Sequence, residues 1–190
     1  MTRTVLGRRQ FLASSSFLLL GAGCRDAPQV ASQTPPKGVN VREDLTPAEV
    51  ELVNHSTMAK DLDNFFGKRY YNCAESGLLV GLRFLKKPEE LVWVARGFGG
   101  GLGQGDLCGF LTAGVMVIDL YAGTLGLDRK GATQVCSQKT REYWTWWAST
   151  APLHCAEIRG GYTDFRYCPR LGKLAAVELE RLIGSRSRPA

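Results

Sequence analysis

The sequence predicts an all-α fold, a single compact bundle of about six helices with a glycine-rich loop before a buried central helix. Three observations predict it. Helix-start signals recur along the chain, the apolar residues that follow them return every three or four positions, and no stretch alternates as a half-buried strand would. No internal repeat interrupts this pattern.

Thr46-Pro47-Ala48-Glu49 carries a threonine cap, a proline at the first helical position and a glutamate three residues on, so a first helix is expected from there to about Phe66. Asn72-Cys73-Ala74-Glu75 repeats the logic and opens a second helix through Leu78, Leu79, Leu82 and Leu85. Pro88-Glu89-Glu90 opens a third, which carries Leu91 to Val94 and ends at Gly97. The run from Gly97 to Gly105 is too rich in glycine for regular structure, and Asp106 is the expected cap of the next helix. Cys108 to Tyr121 is apolar on nearly every face, which marks the central helix. A fifth helix, Gly131 to Ser149, carries Tyr143, Trp144, Trp146 and Trp147, of which two or three should complete the core. A short turn is expected near Cys155, and Pro169 to Ile183 forms the last helix, with Leu171, Leu174, Leu179 and Leu182 on one side.

The N-terminus has a different character. Arg8-Arg9-Gln10-Phe11-Leu12, followed by a weakly apolar stretch diluted by Ser14 to Ser16, resembles a twin-arginine export signal over residues 1–23. Leu20-Gly21-Ala22-Gly23-Cys24 resembles a lipoprotein cleavage site, which makes Cys24 the lipid-bearing residue and implies a membrane anchor. Residues 24–45, rich in proline, glutamine and serine, read as a flexible tether. The domain proper then spans 46–184, with a tail at 185–190. These resemblances imply a location outside the cytoplasmic membrane, in the periplasm.

Charge excludes one partner class. The 190 residues carry 24 basic and 18 acidic side chains, a net charge of +6. Arg3, Arg8 and Arg9 lie in the signal, and without them 21 basic residues face 18 acidic ones with no basic block to track a nucleic-acid backbone. The glycine run fits neither dinucleotide- nor phosphate-loop patterns, because no lysine follows it and Asp106 repels an anion there. No nucleotide is expected.

The six cysteines carry more information. Cys73, Cys108 and Cys168 fall at predicted helix starts and Cys155 at a short turn, positions where free backbone N–H groups favour the thiolate. Cys136, inside a regular helix, is the expected orphan and reads as a small buried hydrophobe. No Cys-x-x-Cys pair exists, which excludes a zinc ribbon, a thioredoxin-type dithiol and covalent haem. His154, beside Cys155, reads either as a turn residue or as a proton donor or ligand. His55 reads as a helix surface residue. Tyr70, Tyr71 and Arg83 lie close enough to Cys73 in the chain to line a site.

Four segments together resemble the redox-active protein family named for its C-GCAxxG-C-C cysteine pattern. They are Tyr71-Asn72-Cys73-Ala74-Glu75, the loop Gly99-Gly100-Gly101-Leu102-Gly103 leading into Cys108-Gly109, Leu153-His154-Cys155-Ala156-Glu157-Ile158, and Cys168 at the last helix. The central motif departs from the pattern, with Phe110 in place of alanine and Ala113 in place of glycine. The resemblance implies that Cys73, Cys108, Cys155 and Cys168 bind an iron–sulfur cluster, or another thiolate-bound metal, for electron exchange with a partner protein. Gly99, Gly100, Gly101, Gly103 and Gly109 would support that site through their backbone N–H groups. Two alternatives stay open: a dithiol redox protein, and a helical binding module stapled by two disulfides. A homodimer is compatible with all three.

Overall fold

The computed structural model describes residues 42–159 and 165–184. The expected signal with Arg8 and Arg9, the lipidation residue Cys24, most of the tether and the tail lie outside the described residues. Those described belong to one unit, Thr34–Ala190. They form seven α-helices and one 3₁₀ helix with no strand ladder, in line with the helical bundle expected.

The first predicted helix is in fact two. α1 (Pro47–His55) starts from the expected capping box, in which Thr46 Oγ1 accepts from Glu49 N–H while Thr46 N–H donates to Glu49. Glu49 also takes the Arg170 guanidinium, which ties α1 to the last helix. The chain then turns extended at Ser56, whose hydroxyl caps α2 (Thr57–Leu62) and donates to Glu180 at 2.6 Å. Serine competes for backbone partners in this way, so a helix running through Ser56 loses to a helix restarted from it. α2 closes in a π turn, Asp63–Gly67.

α3 (Cys73–Phe84) is capped by Asn72 and Glu75 as predicted. The segment expected as the third helix, Glu89–Phe98, winds as a 3₁₀ helix. Its outer face carries Trp93, 70% exposed. The glycine run follows, with Gly100, Gly101 and Gly103 at positive φ. α4 (Gly109–Ala122) is the buried central helix. It packs on α3 so closely that a Cβ at Gly81 would stand 2.2 Å from Val117.

α5 (Arg129–Thr150) supplies Tyr143 and Trp147 to the core, both fully buried, while Trp144 and Trp146 are half-buried. Burial satisfies the polar atoms of both core aromatics: Tyr143 Oη donates to the Phe110 carbonyl and Trp147 Nε1 to the Pro152 carbonyl. α6 (Cys155–Ile158) is a single turn, and α7 (Cys168–Gly184) lays Leu171, Ala175, Leu179 and Leu182 against α2, α3 and α4. No helix among the described residues is long and apolar enough to cross a membrane.

Candidate functional site

Four cysteines begin helical segments. Cys73 is the first residue of α3, Cys108 the N-cap of α4, Cys155 the first residue of α6 and Cys168 the first residue of α7. The bundle brings these starts to one end, where all four cysteines line a single cavity of about 990 Å³. Cys108, Cys155 and Cys168 are buried and Cys73 is half-buried. All five described cysteines are free thiols.

The thiols are also near enough to influence one another. Ionisation of Cys155 acts on Cys73, and ionisation of Cys73 and of Cys168 acts on Cys108. Cys136 has no part in this. It sits half-buried on α5 and, instead of packing as a hydrophobe, bonds to the Asp119 carboxylate.

Backbone amides converge on the sulfurs as the glycine loop suggested. The Cys73 sulfur accepts from the N–H groups of Gly100, Ala74 and Gly109, and that of Cys108 from Phe110 and Leu111. Gly100 holds φ near +63°, a conformation that turns its amide toward Cys73 without a side-chain clash. Gly109 matters through space: a Cβ there would stand 2.4 Å from Cys73 Sγ. Gly99 lies against the Asn72 cap and Gly101 against the Asp106 backbone, so both support the site at one remove. A Cβ at Gly103 would face open space, and Gly103 does not line the cavity.

The protonation expected from helix starts is reversed by burial. Desolvation pushes the Cys73 thiol up despite its three amide donors, with Cys155 adding to the shift. Burial pushes Cys108 up well beyond the usual thiol range, and Cys73 adds to it. The reason is one of magnitude, since an end-of-helix interaction is worth about 1 kcal/mol whereas burying an anion costs several. At neutral pH both groups are neutral thiols. A bound cation that displaces their protons would reverse this balance.

The cavity walls include residues that sequence reasoning missed. Glu75 was foreseen only as a cap, yet its buried carboxylate lines the cavity and pairs with Arg96 at 3.1 Å. Arg69 and Arg159 stack on Phe165, at 5.7 and 3.6 Å from the ring centroid. The only sequence signal for Arg159 is its place one helical turn beyond Cys155 and for Arg69 its nearness to Cys73, and for Arg96 there is none. Tyr70 and Tyr71 do line the cavity, whereas Arg83 turns away to Glu89 and Asp61.

His154 is absent from the cavity lining. Its Nδ1 lies 3.0 Å from Asp106 Oδ1, on the exposed side of a two-residue bridge between Leu107 and His154. Asp106 therefore does not cap α4, whose N-cap, Cys108, makes no side-chain capping bond. His55 pairs with Glu51 on the surface of α1, as expected of it.

Among the described residues no three His, Cys, Asp or Glu side chains are gathered tightly enough to hold one metal ion. A single zinc-type site needs its sulfurs about 2.3 Å from one centre. A cluster holds its cysteines farther apart, around a core of several metal and sulfide atoms. Four thiols set around one cavity, with Cys73 and Cys108 deprotonated only at a cost that a cation can offset, fit the second kind of group better than the first.

A family model described as Putative redox-active protein (C_GCAxxG_C_C) matches residues 71–182, the span that contains all four cavity cysteines and the loop between the first two. No curated protein and no solved structure matches the chain.

Proposed function

Because the chain belongs to the C_GCAxxG_C_C family of redox-active proteins, we propose that Cys73, Cys108, Cys155 and Cys168 together hold an iron–sulfur cluster used for electron transfer. The observation that carries this reading is their convergence from four separate helix starts on one cavity. Such a cluster supplies a one-electron carrier whose potential follows the hydrogen bonds to its sulfurs and its exposure to water. The chain's own contribution is to bind and to shield. The amides of Gly100, Ala74 and Gly109 at Cys73, and of Phe110 and Leu111 at Cys108, offset the negative charge of bound thiolates. Exposed Arg69, Tyr70 and Arg96 at the cavity mouth are where an electron partner would approach.

The dithiol alternative requires a thiol whose pKa is lowered so that it attacks at neutral pH. Burial drives Cys73 and Cys108 the other way. Two structural bridges would separate the cysteines into pairs, whereas here Cys73 lies near both Cys155 and Cys108.

The experiment is metal and sulfide analysis of protein purified without oxygen. Iron, acid-labile sulfide and a visible charge-transfer band are expected in the natural chain. Cys73→Ser, Cys108→Ser, Cys155→Ser and Cys168→Ser should each lose most of them, and Cys136→Ser should keep them. A colourless, iron-free natural chain, or loss on replacing Cys136, overturns the assignment.

Folded export suits a cluster inserted before translocation, and we extend the proposal to the leader. Arg8 and Arg9 direct twin-arginine export and Cys24 carries a lipid. Replacing both arginines by lysine should retain the protein in the cytoplasm, measured by cell fractionation, and an unchanged distribution would exclude this route.

A further inference from the structure

Cys155 is the least anchored of the four thiols. Cys73, Cys108 and Cys168 each begin or cap a helix of at least 12 residues that is locked into the core, whereas Cys155 begins a turn of four. A segment so short gains almost nothing from its own helical hydrogen bonds, so its position must come from elsewhere. The structure shows one source. Cys108 N–H donates to the Leu153 carbonyl at 2.9 Å, and Cys155 N–H donates to the Asp106 carbonyl at 2.7 Å. These two bonds form a short antiparallel rung that joins the approach to Cys108 with the approach to Cys155. Outside the rung, the His154 side chain closes onto the Asp106 carboxylate at 3.0 Å. Inside it, Cys155 is only 4% exposed. The His154 and Asp106 side chains stand 47% and 54% exposed on the water side, while the Cys155 thiol lines the cavity.

We infer that Asp106 and His154 are positioning residues that form a latch, holding Cys155 in the cavity and making it the thiol that leaves the site first when the latch opens. The inference deepens the proposed function, since it rests on the four thiols forming one site, but it concerns the chain's own opening and not the metal. His154 accordingly acts through Cys155 and is not a ligand itself.

The test is alkylation of the reduced, metal-free full chain by iodoacetamide, with the rate at each cysteine read by peptide mass spectrometry. In His154→Ala and in Asp106→Ala, the rate at Cys155 should rise roughly two- to fivefold, the change expected when one half-exposed polar side-chain contact is lost. The rates at Cys73, Cys108 and Cys168 should stay as they are. His154→Asn keeps an N–H donor near the position of Nδ1 and should restore most of the protection. An unchanged Cys155 rate in both alanine variants overturns the latch. So does an equal rise at all four cysteines, which would mean general loosening, and so does failure of the asparagine variant to protect. Because no metal is present, the latch stands or falls separately from the cluster, which is decided by the iron and sulfide content of the natural chain.

Discussion

Replacing Gly109 by alanine should both destabilise the fold and empty the site. The added Cβ would stand 2.4 Å from Cys73 Sγ, 2.9 Å from the Ala74 nitrogen and 3.1 Å from the Ala74 Cβ. Two of those three atoms, the nitrogen and Cβ of Ala74, are fixed to the backbone of α3's first turn, so turning the Cys73 side chain aside does not relieve the contact. α3 and α4 must separate where they begin. Overpacking of this kind costs about 1–3 kcal/mol, and the backbone contact puts it at the upper end. A loss of about 3 kcal/mol corresponds to a fall of roughly 10 °C in the thermal midpoint of a domain this size. Cys73 is displaced by the same movement and loses the Gly109 amide, so iron retention should fall with it. Gly103→Ala is the control. Its φ of +69° makes alanine strained by about 1–2 kcal/mol, but a Cβ there meets nothing and no thiol moves, so iron should be kept. Equal iron content in the two variants would show that the close approach at Gly109 does not position Cys73.

Much of this arrangement was legible in the chain, and the parts that were not share a cause. Capping rules work on neighbouring residues, so the starts of α1 and α3 and the placing of Cys73 and Cys168 at helix starts follow from Thr46, Asn72 and Pro169. Local rules omit competition from distant residues. Ser56 breaks the first helix because Glu180, far along the chain, accepts its hydroxyl. Asp106 gives up the cap of α4 because His154 comes to it across the fold. The charge state of the thiols failed for the same reason. Helix starts are local and favour thiolates, but the burial that outweighs them is a property of the assembled bundle. The arginine and aromatic walls of the cavity were invisible because no capping or periodicity rule assigns a role to Arg69 or Phe165, although they lie within four residues of Cys73 and Cys168, and Arg96 lies far from any cysteine in the chain.

The departure of the central motif from its family pattern predicts a second large effect. Phe110 stands where the pattern has alanine, and it is 2% exposed. Its ring meets Phe66 edge to face with centroids 5.1 Å apart, and it forms part of the cysteine cavity wall. Room for it comes from the opposite helices. A Cβ at Gly172 of α7 would stand 2.6 Å from Phe110 Cζ, and one at Gly77 of α3 would stand 3.3 Å from Cδ1 and 2.9 Å from the Ala113 Cβ. The bulk at position 110 is thus matched by its absence at Gly172, while Ala113 is accommodated by Gly77. Phe110→Ala should then cost about 3–5 kcal/mol by chemical denaturation, the range for emptying a buried phenyl site. Gly172→Leu alone should also destabilise, because the new side chain would drive into the ring and into Leu62, 2.8 Å from that Cβ. Combined, leucine enters the space the ring has left, and the double variant should be more stable than the sum of the two losses by about 1–3 kcal/mol. The gain in helix propensity from glycine to leucine is the same in both backgrounds and cancels from that comparison. Losses that add to within about 0.5 kcal/mol would mean that Phe110 and Gly172 do not share one space, and that the family's alanine was replaced without compensation from α7.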